Sequence, residues 1–237
     1  MTRPPSITRI RPCQQRAVVL LSGGMDSTTL LWWVTRHLRV PEVHALSFRY
    51  GQKHARELTA ARWQARSAGV AVHKVVDISF FAGLTTGGGV ALTDGAVAVP
   101  ALRAIRAAQR DQPSTYVPNR NMILLALAAA YAESHGIADM YYGAQSQDEY
   151  GYWDCTGDFV ERLNDVLALN RRKAVRVHAP FVGLRKAAEV RIGLQLGVEY
   201  GHTWTCYRGG KHPCRVCPAC VERRKAFVEI GMRDPLG

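Results

Sequence analysis

The sequence of 237 residues lacks any apolar run near the ~20 residues that a membrane-spanning helix requires, so we expect no transmembrane segment. Residues 1–16 contain four arginines and no apolar stretch between them, so we expect a disordered lead-in, no secretory signal and a cytoplasmic protein. Acidic residues are scarce, since 19 Asp and Glu stand against 31 Lys and Arg. The net charge of +12 favours anionic partners such as nucleotides or a nucleic-acid backbone, unless it is only a basic surface.

Two common phosphate-binding patterns are also missing after the first apolar run. The Walker pattern needs Gly-Lys-Ser/Thr, and the Rossmann pattern needs Gly-x-Gly-x-x-Gly. In their place Ser22–Ser27 (SGGMDS) directly follows the apolar residues 17–21. Residues 17–21 predict a buried strand and residues 28–34 predict a helix. The motif is therefore a turn whose backbone N–H groups point at an anion, at the positive end of a helix dipole.

This Ser-Gly-Gly-x-Asp-Ser string resembles the PP-loop of the ATP pyrophosphatases, which cleave ATP to AMP and pyrophosphate while they activate an oxygen as an adenylate. The resemblance implies that Ser22, Ser27 and the loop backbone grip the pyrophosphate and that Asp26 helps to hold Mg²⁺. The residues predicted to bind ATP and its pyrophosphate are Leu21, Ser22, Gly23, Gly24, Met25, Asp26, Ser27 and Thr28. The plainer alternative is a glycine-rich turn with a capping Asp or Ser.

Cysteine is rare outside one cluster near the C-terminus, where two successive Cys-x-x-Cys steps follow a fourth thiol. The cluster consists of Cys206, Cys214, Cys217 and Cys220. Four thiols at this spacing are typical of a tetrahedral zinc site without an open position, so the sequence predicts a structural Zn²⁺. A disulfide pair and an iron–sulfur cluster are the alternatives, of which the disulfide is disfavoured without an export signal. The metal would fold residues 201–237 into a C-terminal zinc module with a helix.

Alternating strands and helices occupy the rest of the chain. Predicted strands lie at 17–21, 42–48, 70–76, 140–143 and 175–178, with helices at 28–34, 53–68, 121–135, 157–170 and 185–196. This alternation predicts an α/β fold, an open parallel sheet with helices on both faces, over residues 17–200. The glycine-interrupted segment 79–115 has no sustained periodicity and is longer than ordinary connections, so it predicts an active-site lid or a mobile excursion.

Several short segments occur in an order that is typical of one enzyme family. They are residues 20–29 (LLSGGMDSTT), 50–54 (YGQKH), 116–121 (YVPNRN), 154–155 (DC) and 203–207 (TWTCY), followed by the last three cysteines with Arg224 and Phe227. Together they look like the 7-cyano-7-deazaguanine synthase, or QueC, family, whose fold is PP-loop and adenine-nucleotide-alpha-hydrolase-like. The resemblance runs from about residue 17 to residue 235.

The resemblance implies an AMP-forming carbon–nitrogen ligase with ATP, Mg²⁺ and Zn²⁺ as cofactors. Family members adenylate the carboxylate of 7-carboxy-7-deazaguanine, and ammonia then displaces AMP to give an amide. A second adenylation, of the amide oxygen, and a second loss of AMP give the nitrile 7-cyano-7-deazaguanine. Because transfer of AMP supplies a good leaving group, catalysis would consist chiefly of positioning and of relief of negative charge.

Particular residues receive roles from the same resemblance. Asp26, Ser27 and Lys186 are predicted to be catalytic. A guanine-like edge offers paired N–H donors to a carboxylate such as Asp154, and aromatic faces such as Tyr152 or Trp153 stack on the ring. The residues predicted to bind substrate are Tyr50, Gln52, His54, Arg120, Asn121, Tyr152 and Asp154. Plainer alternatives are an exposed helix residue for Lys186, a polar surface loop for 145–154 and an ordinary helix start for 120–121.

Some positions depart from the family pattern. Arg215 and the pair Pro218-Ala219 replace the Gly and the Asp-Ser that usually lie between the last cysteines, so we expect metal binding with a slightly different turn. Trp153 and Thr156 replace a proline and an arginine beside the substrate segment. The lost arginine opens a second hypothesis, in which the adenylated deazaguanine is passed to an amine of a protein partner in a bacterial antiviral system.

Two further classes remain as alternatives. A basic zinc-ribbon protein would bind phosphate backbones, but such a protein needs no pyrophosphate clamp. PP-loop tRNA thiolation or lysidine synthesis is the other, although thiolation usually needs a reactive cysteine pair and Cys155 is alone. We expect a deazapurine and ammonia as small-molecule partners, a homodimer, no membrane association and no stable nucleic-acid complex.

Overall fold

The computed structural model describes residues 15–53, 56–106, 112–145 and 152–237, and its centre is a five-stranded parallel sheet. The strands are β1 (Arg16–Leu20), β2 (Glu42–Arg49), β3 (Val72–Asp77), β4 (Asp139–Tyr141) and β5 (Arg176–His178). Their order is β3-β2-β1-β4-β5, and every neighbouring pair is parallel. The predicted open parallel α/β sheet is confirmed. Because the order reverses between β1 and β4, a crevice opens beyond the carboxyl ends of these two strands.

Seven α-helices surround the sheet in the described residues. They are α1 (Met25–Trp32), α2 (Arg56–Ala68), α3 (Phe80–Thr85), α4 (Arg120–Ser134), α5 (Gly157–Leu167), α6 (Lys186–Leu196) and α7 (Pro218–Glu229). The helix predicted at 28–34 begins earlier, at Met25, so that Asp26 and Ser27 lie in its first turn. Each described helix is too short or too polar to cross a membrane.

Helices cover both faces of the sheet, because alternate residues of β1 point in opposite directions. Val18 and Leu20 join a core cluster with α4 and α5 residues, including Leu125 and Phe159. Ala17, Val19 and Leu21 join a second cluster with residues of α1 and α2. These four strand residues and Leu21, which follows β1, are all buried, as a parallel strand covered on two faces requires. Both faces of the central strand are thus packed against helices.

The segment 79–115 differs from the predicted lid or excursion in its described parts. It contains α3, and Val90, Ala91 and Leu92 are buried in the same cluster as Val18. The Leu102 N–H donates to the Val216 carbonyl (2.8 Å), which ties the segment to the cysteine-rich region. None of its described residues lines the cavity presented below. Burial of these apolar side chains therefore makes the described parts of the segment a component of the core.

The cysteine-rich region packs directly on the sheet. Trp204, Cys206, Cys217 and Cys220 belong to the same buried cluster as Val18, and α7 contacts α6. The backbone N–H of Trp204 also donates to the carbonyl of Gly23 in the phosphate-binding turn (2.9 Å). Residues after 200 therefore share the core of the preceding residues and support one wall of the crevice.

Candidate active site

A cavity of about 230 Å³ lies in the crevice beyond the carboxyl ends of β1, β2 and β4. Of the residues predicted for the site, those that line it are Leu21, Ser22, Gly24, Met25, Asp26, Ser27, Tyr50, Arg120, Asn121, Tyr152 and Lys186. Gly23, Thr28, Gln52 and Asp154 are not among the lining residues, and His54 lies outside the described residues. Five separate regions of the chain thus meet at one cavity.

The turn after β1 has a backbone that only glycine permits at its first bend. Gly23 has φ +87°, and a Cβ there would lie 2.1 Å from the Glu57 carbonyl oxygen and 2.6 Å from the Ala61 nitrogen. Both atoms belong to the backbone of α2 and cannot move aside like a flexible side chain. The turn is therefore pressed against α2, which leaves its other side facing the cavity.

Two serine hydroxyls close the turn on itself. Ser22 Oγ and Ser27 Oγ lie 2.9 Å apart, the Ser22 N–H donates to Ser27 Oγ (3.1 Å), and the Gly24 N–H donates to Ser22 Oγ (3.2 Å). Gly143, just after β4, supports the turn from behind, since a Cβ there would lie 3.2 Å from the Ser27 nitrogen. Hydroxyls and N–H groups at the start of α1 are a donor set that suits phosphate oxygens.

Asp26 and Lys186 bring opposite charges together at this turn. Lys186 Nζ lies 3.3 Å from Asp26 Oδ2 and 4.0 Å from Glu222 Oε2. The other carboxylate oxygen, Asp26 Oδ1, is buried and has no hydrogen-bond partner among the described residues. A buried carboxylate oxygen without a donor suits a cation, and Mg²⁺ is commonly bound by one or two carboxylates together with substrate phosphates. The residues at the turn therefore fit Mg²⁺ and ATP.

The opposite end of the cavity carries a buried cation. Arg120, at the start of α4, has its guanidinium carbon 5.8 Å from the centre of the Tyr50 ring, and its Nε donates to Asn121 Oδ1 (3.2 Å). Burial by itself would lower the pKa of Arg120, but the oxygens of Tyr50 and of Asp154 act to raise it, so the guanidinium stays charged. Burial raises the pKa of Tyr50 to about 12, so its phenol is neutral. This end therefore offers one positive charge beside an aromatic face.

Asp154 lies behind this wall. Its side chain is buried, and burial raises its pKa although Arg120 and Asn121 counteract the shift. The next residue, Cys155, lines the cavity, and its Sγ lies 3.5 Å from the Tyr142 hydroxyl and accepts a hydrogen bond from Asn121 Nδ2 at 3.5 Å. Asp154 itself is not among the residues that line the cavity.

Tyr152 and Gln52 take different positions. Tyr152 lines the cavity, its hydroxyl lies 2.9 Å from Thr115 Oγ1, and its ring stacks on Tyr116 with centroids 6.1 Å apart. Gln52 is buried and holds the end of β2, because its amide accepts from the Tyr50 N–H (2.8 Å) and donates to Glu57 Oε1 (2.8 Å). In this structure Gln52 therefore positions Tyr50.

The structure adds cavity residues to which the sequence analysis gave no individual role: Glu57, Gln145, Trp204, Thr205, Glu222 and Arg223. Arg223 is buried, and its guanidinium donates to both carboxylate oxygens of Asp234 and to the hydroxyls of Thr203 and Thr205. Its neighbour Arg224, which carried part of the family resemblance, is exposed. The sequence signal that could have identified Arg223 is the helical period of α7. Arg223 follows Cys220 by three residues and precedes Phe227 by four, so all three lie on the buried side of the helix.

The four clustered cysteines converge at the start of α7. Their sulfur atoms all lie within 4.8 Å of one another, and Cys214 Sγ and Cys220 Sγ are 4.0 Å apart. A tetrahedral ion with metal–sulfur distances of about 2.3 Å would hold its sulfurs about 3.8 Å apart, so the four thiols fit such an ion. The backbone N–H of Cys217 donates to Cys214 Sγ (3.3 Å), a bond that supports a thiolate ligand. The predicted convergence of the four cysteines is confirmed, and the cluster could hold a metal ion, whereas metal binding and the identity of the metal stay predictions.

Arg215 replaces the family's glycine without removing the turn. Its φ is +62°, which is the left-handed region that glycine prefers. Because a side chain in this region is strained, the arginine costs about 1 kcal/mol relative to glycine.

Comparison with known proteins agrees with these features. The family model described as "Queuosine biosynthesis protein QueC" matches residues 16–231. The 7-cyano-7-deazaguanine synthase of Archaeoglobus fulgidus is 46% identical over 222 residues, which are 93% of this chain and 89% of that protein. The synthase of Caldicellulosiruptor saccharolyticus is 44% identical over 221 residues (93% and 94%), and that of Clostridium kluyveri is 41% identical over 228 residues (94% and 97%).

Among solved structures, NMN synthetase from Francisella tularensis covers 94% of this chain and 79% of its own, with 12% identity and a TM-score of 0.49. A likeness of that size carries no argument about activity.

The parallel sheet, the Ser-Gly-Gly-x-Asp-Ser turn and the cavity beside it define a PP-loop enzyme. With the family match across 16–231 and several relatives above 40% identity, the chain belongs to the QueC family of queuosine biosynthesis proteins.

Proposed function

We propose that this protein is a 7-cyano-7-deazaguanine synthase that consumes ATP and releases AMP and pyrophosphate. Its substrate would be 7-carboxy-7-deazaguanine, its nitrogen donor ammonia, and its products the amide and then the nitrile. The named relatives and the family match support this reaction. The observation that carries the proposal is the single cavity in which the phosphate-binding turn and Arg120 face a common space.

The first step would take place at the turn. A carboxylate oxygen of the substrate attacks the α-phosphorus of ATP, the bond to the β-phosphate oxygen breaks, and pyrophosphate leaves. The N–H groups and hydroxyls of Ser22–Ser27 would receive the pyrophosphate, and Lys186 beside Asp26 would offset negative charge. Bound Mg²⁺ would supply further charge neutralisation on the phosphates, with Asp26 as a ligand.

The deazapurine would lie at the opposite end. Arg120 would bind an anionic or carbonyl oxygen, and the ring of Tyr50 or Tyr152 would cover the heterocycle. Burial raises the pKa of Tyr50 and of Tyr152 to about 12, so both phenols stay neutral and donate hydrogen bonds at physiological pH. Asp154 remains our candidate for the paired N–H groups of the guanine-like edge.

The remaining steps consume one ammonia and a second ATP. Ammonia attacks the acyl carbon, the carbon–oxygen bond to AMP breaks, and AMP leaves with the proton that the nitrogen releases. The amide oxygen then attacks the α-phosphorus of the second ATP and pyrophosphate leaves. Loss of AMP and of both amide protons forms the carbon–nitrogen triple bond. Each nitrile therefore requires two adenylations.

Mass spectrometry of the products tests this reaction after the protein is mixed with ATP, Mg²⁺, 7-carboxy-7-deazaguanine and ammonium. We expect AMP and the nitrile. Amide without nitrile would restrict the activity to the first half. AMP without either product would direct the search to a protein amine as acceptor, and no AMP at all would contradict the proposal.

We also propose that the four-cysteine cluster holds Zn²⁺ as a structural ion. The thiols of Cys206, Cys214, Cys217 and Cys220 leave no ligand position for water, so the metal would take no part in the reaction. We expect metal analysis of the purified protein to give one zinc per chain, and Cys217→Ser to lose it together with stability. Iron with a visible absorption band would instead indicate an iron–sulfur cluster.

A further inference from the structure

Gln145 is a cavity residue with a buried amide oxygen, close to the phosphate-binding turn. The residue follows β4, lines the cavity and is 5% exposed. Its Nε2 donates to Glu189 Oε2 (3.0 Å), while its Oε1 is buried and has no partner among the described residues. Because a buried carbonyl oxygen without a donor is costly, this atom is a favourable acceptor for a hydrogen-bond donor of a ligand.

Glu189 determines which way the amide points. The Gln145 amide donates its Nε2 to Glu189 Oε2, so its Oε1 is turned away from that carboxylate oxygen. Glu189 is 1% exposed and lies on α6, so its position is set by the core. The acceptor at Gln145 is therefore preorganised.

The position of this acceptor places it beside the reacting groups. Gly143, two residues before Gln145, touches the Ser27 backbone, since a Cβ there would lie 3.2 Å from its nitrogen. Glu189 lies one helical turn beyond Lys186, whose Nζ contacts Asp26. Arg120 and the tyrosines that would take the ring line the other end. A ligand donor at Gln145 is thus expected near the adenylated carbon.

We propose that Gln145 Oε1 binds the nitrogen nucleophile, accepting an N–H of ammonia beside the acyl adenylate. This inference rests on the proposed function and names the nitrogen site of that reaction. One N–H directed at Oε1 leaves the lone pair of nitrogen free to attack the acyl carbon. The bond to carbon forms as the carbon–oxygen bond to AMP breaks, and AMP leaves with the released proton. After attack, the same oxygen accepts from the amide nitrogen.

The test separates adenylation from use of ammonia. ATP–pyrophosphate isotope exchange, measured with 7-carboxy-7-deazaguanine and without ammonium, reports adenylation alone. The KM for ammonium, measured at saturating ATP and carboxylate, reports the nitrogen site. Gln145→Met keeps the length of the side chain but removes the acceptor. We expect about a tenfold increase in the KM for ammonium and exchange within about twofold of the native protein.

Glu189→Gln is the second variant, because it lets the Gln145 amide turn over and present a donor. We expect a smaller increase in the KM for ammonium and preserved exchange. Gln195→Met, an exposed position on α6, is the matched control and should leave both values unchanged.

The outcomes are distinct. An unchanged KM for ammonium in Gln145→Met overturns the inference, and so does an equal loss of exchange, which would assign the residue to adenylation. If Gln145→Met does not fold, an unchanged KM in Glu189→Gln overturns it. If the native protein shows exchange but forms no amide with ammonium, the proposed function fails at its second step, whatever the variants do.

Discussion

The two ends of the cavity are built in different ways. The phosphate end consists of six consecutive residues, Ser22–Ser27, and its donors are chiefly backbone N–H groups and two hydroxyls that bond each other. The opposite end brings together Tyr50 after β2, Arg120 and Asn121 at the start of α4, and Tyr152 before α5. The phosphate end is thus formed by one short stretch of chain, whereas the opposite end depends on how distant segments pack together.

The largest expected effect is at Asp26, in the phosphate end, where one carboxylate is both the proposed Mg²⁺ ligand and the partner of Lys186. Asp26→Asn keeps the size of the side chain but removes the negative charge beside Lys186. We expect the rate of AMP formation to fall about 10³-fold, because the metal ligand and the partner of Lys186 are lost together.

A coupled assay of AMP release measures this change. Asp165→Asn, an exposed position on α5, is the matched control and should keep the native rate with the same zinc content. Undiminished AMP release by Asp26→Asn would remove Asp26 from the proposed magnesium site.

The next largest effect tests the backbone of the phosphate end. Gly23→Ala places a Cβ against the α2 backbone at a φ of +87°. We expect the free energy of unfolding to fall by about 3 kcal/mol or more, from the combined clash and left-handed strain.

Urea unfolding measures this difference. Gly83→Ala is the control, since Gly83 is an exposed residue of α3 with no atom near the added Cβ. That variant should be as stable as the native protein or slightly more stable. Equal effects of the two variants would mean that the turn does not depend on its contact with α2.

A smaller effect tests the opposite end. Arg120→Lys keeps the positive charge but loses the planar group that reaches both Tyr50 and Asn121. We expect the KM for 7-carboxy-7-deazaguanine to rise about 30-fold and the KM for ATP to stay within about twofold. Initial-rate kinetics with each substrate varied in turn measures both values.

Arg191→Lys, an exposed residue of α6, serves as the control for Arg120→Lys. A parallel rise in the KM for ATP and the KM for 7-carboxy-7-deazaguanine would contradict the separation of the phosphate end from the opposite end.

The phosphate end was the most predictable part of the molecule. Its residues are neighbours in the chain, so the apolar run before Ser22 and the two glycines indicate strand, turn and helix at once. The cysteine cluster was predictable for the same reason, because ligand spacing is a local property. The segment 79–115 was interpreted less well, since the burial of Val90, Ala91 and Leu92 depends on contacts with distant strands.

The sequence by itself determined the parallel α/β fold, the PP-loop turn, the four-cysteine cluster and the family, because each depends on local periodicity or on a short motif. Only the tertiary structure decided that Gln145 lines the cavity and has a buried oxygen without a partner among the described residues, that Arg223 rather than Arg224 is buried, and that Gln52 accepts the Tyr50 N–H. These features depend on which side of an element faces the crevice. That orientation is set by long-range packing between distant segments of the chain, such as Lys186 and Asp26, which pair across 160 residues.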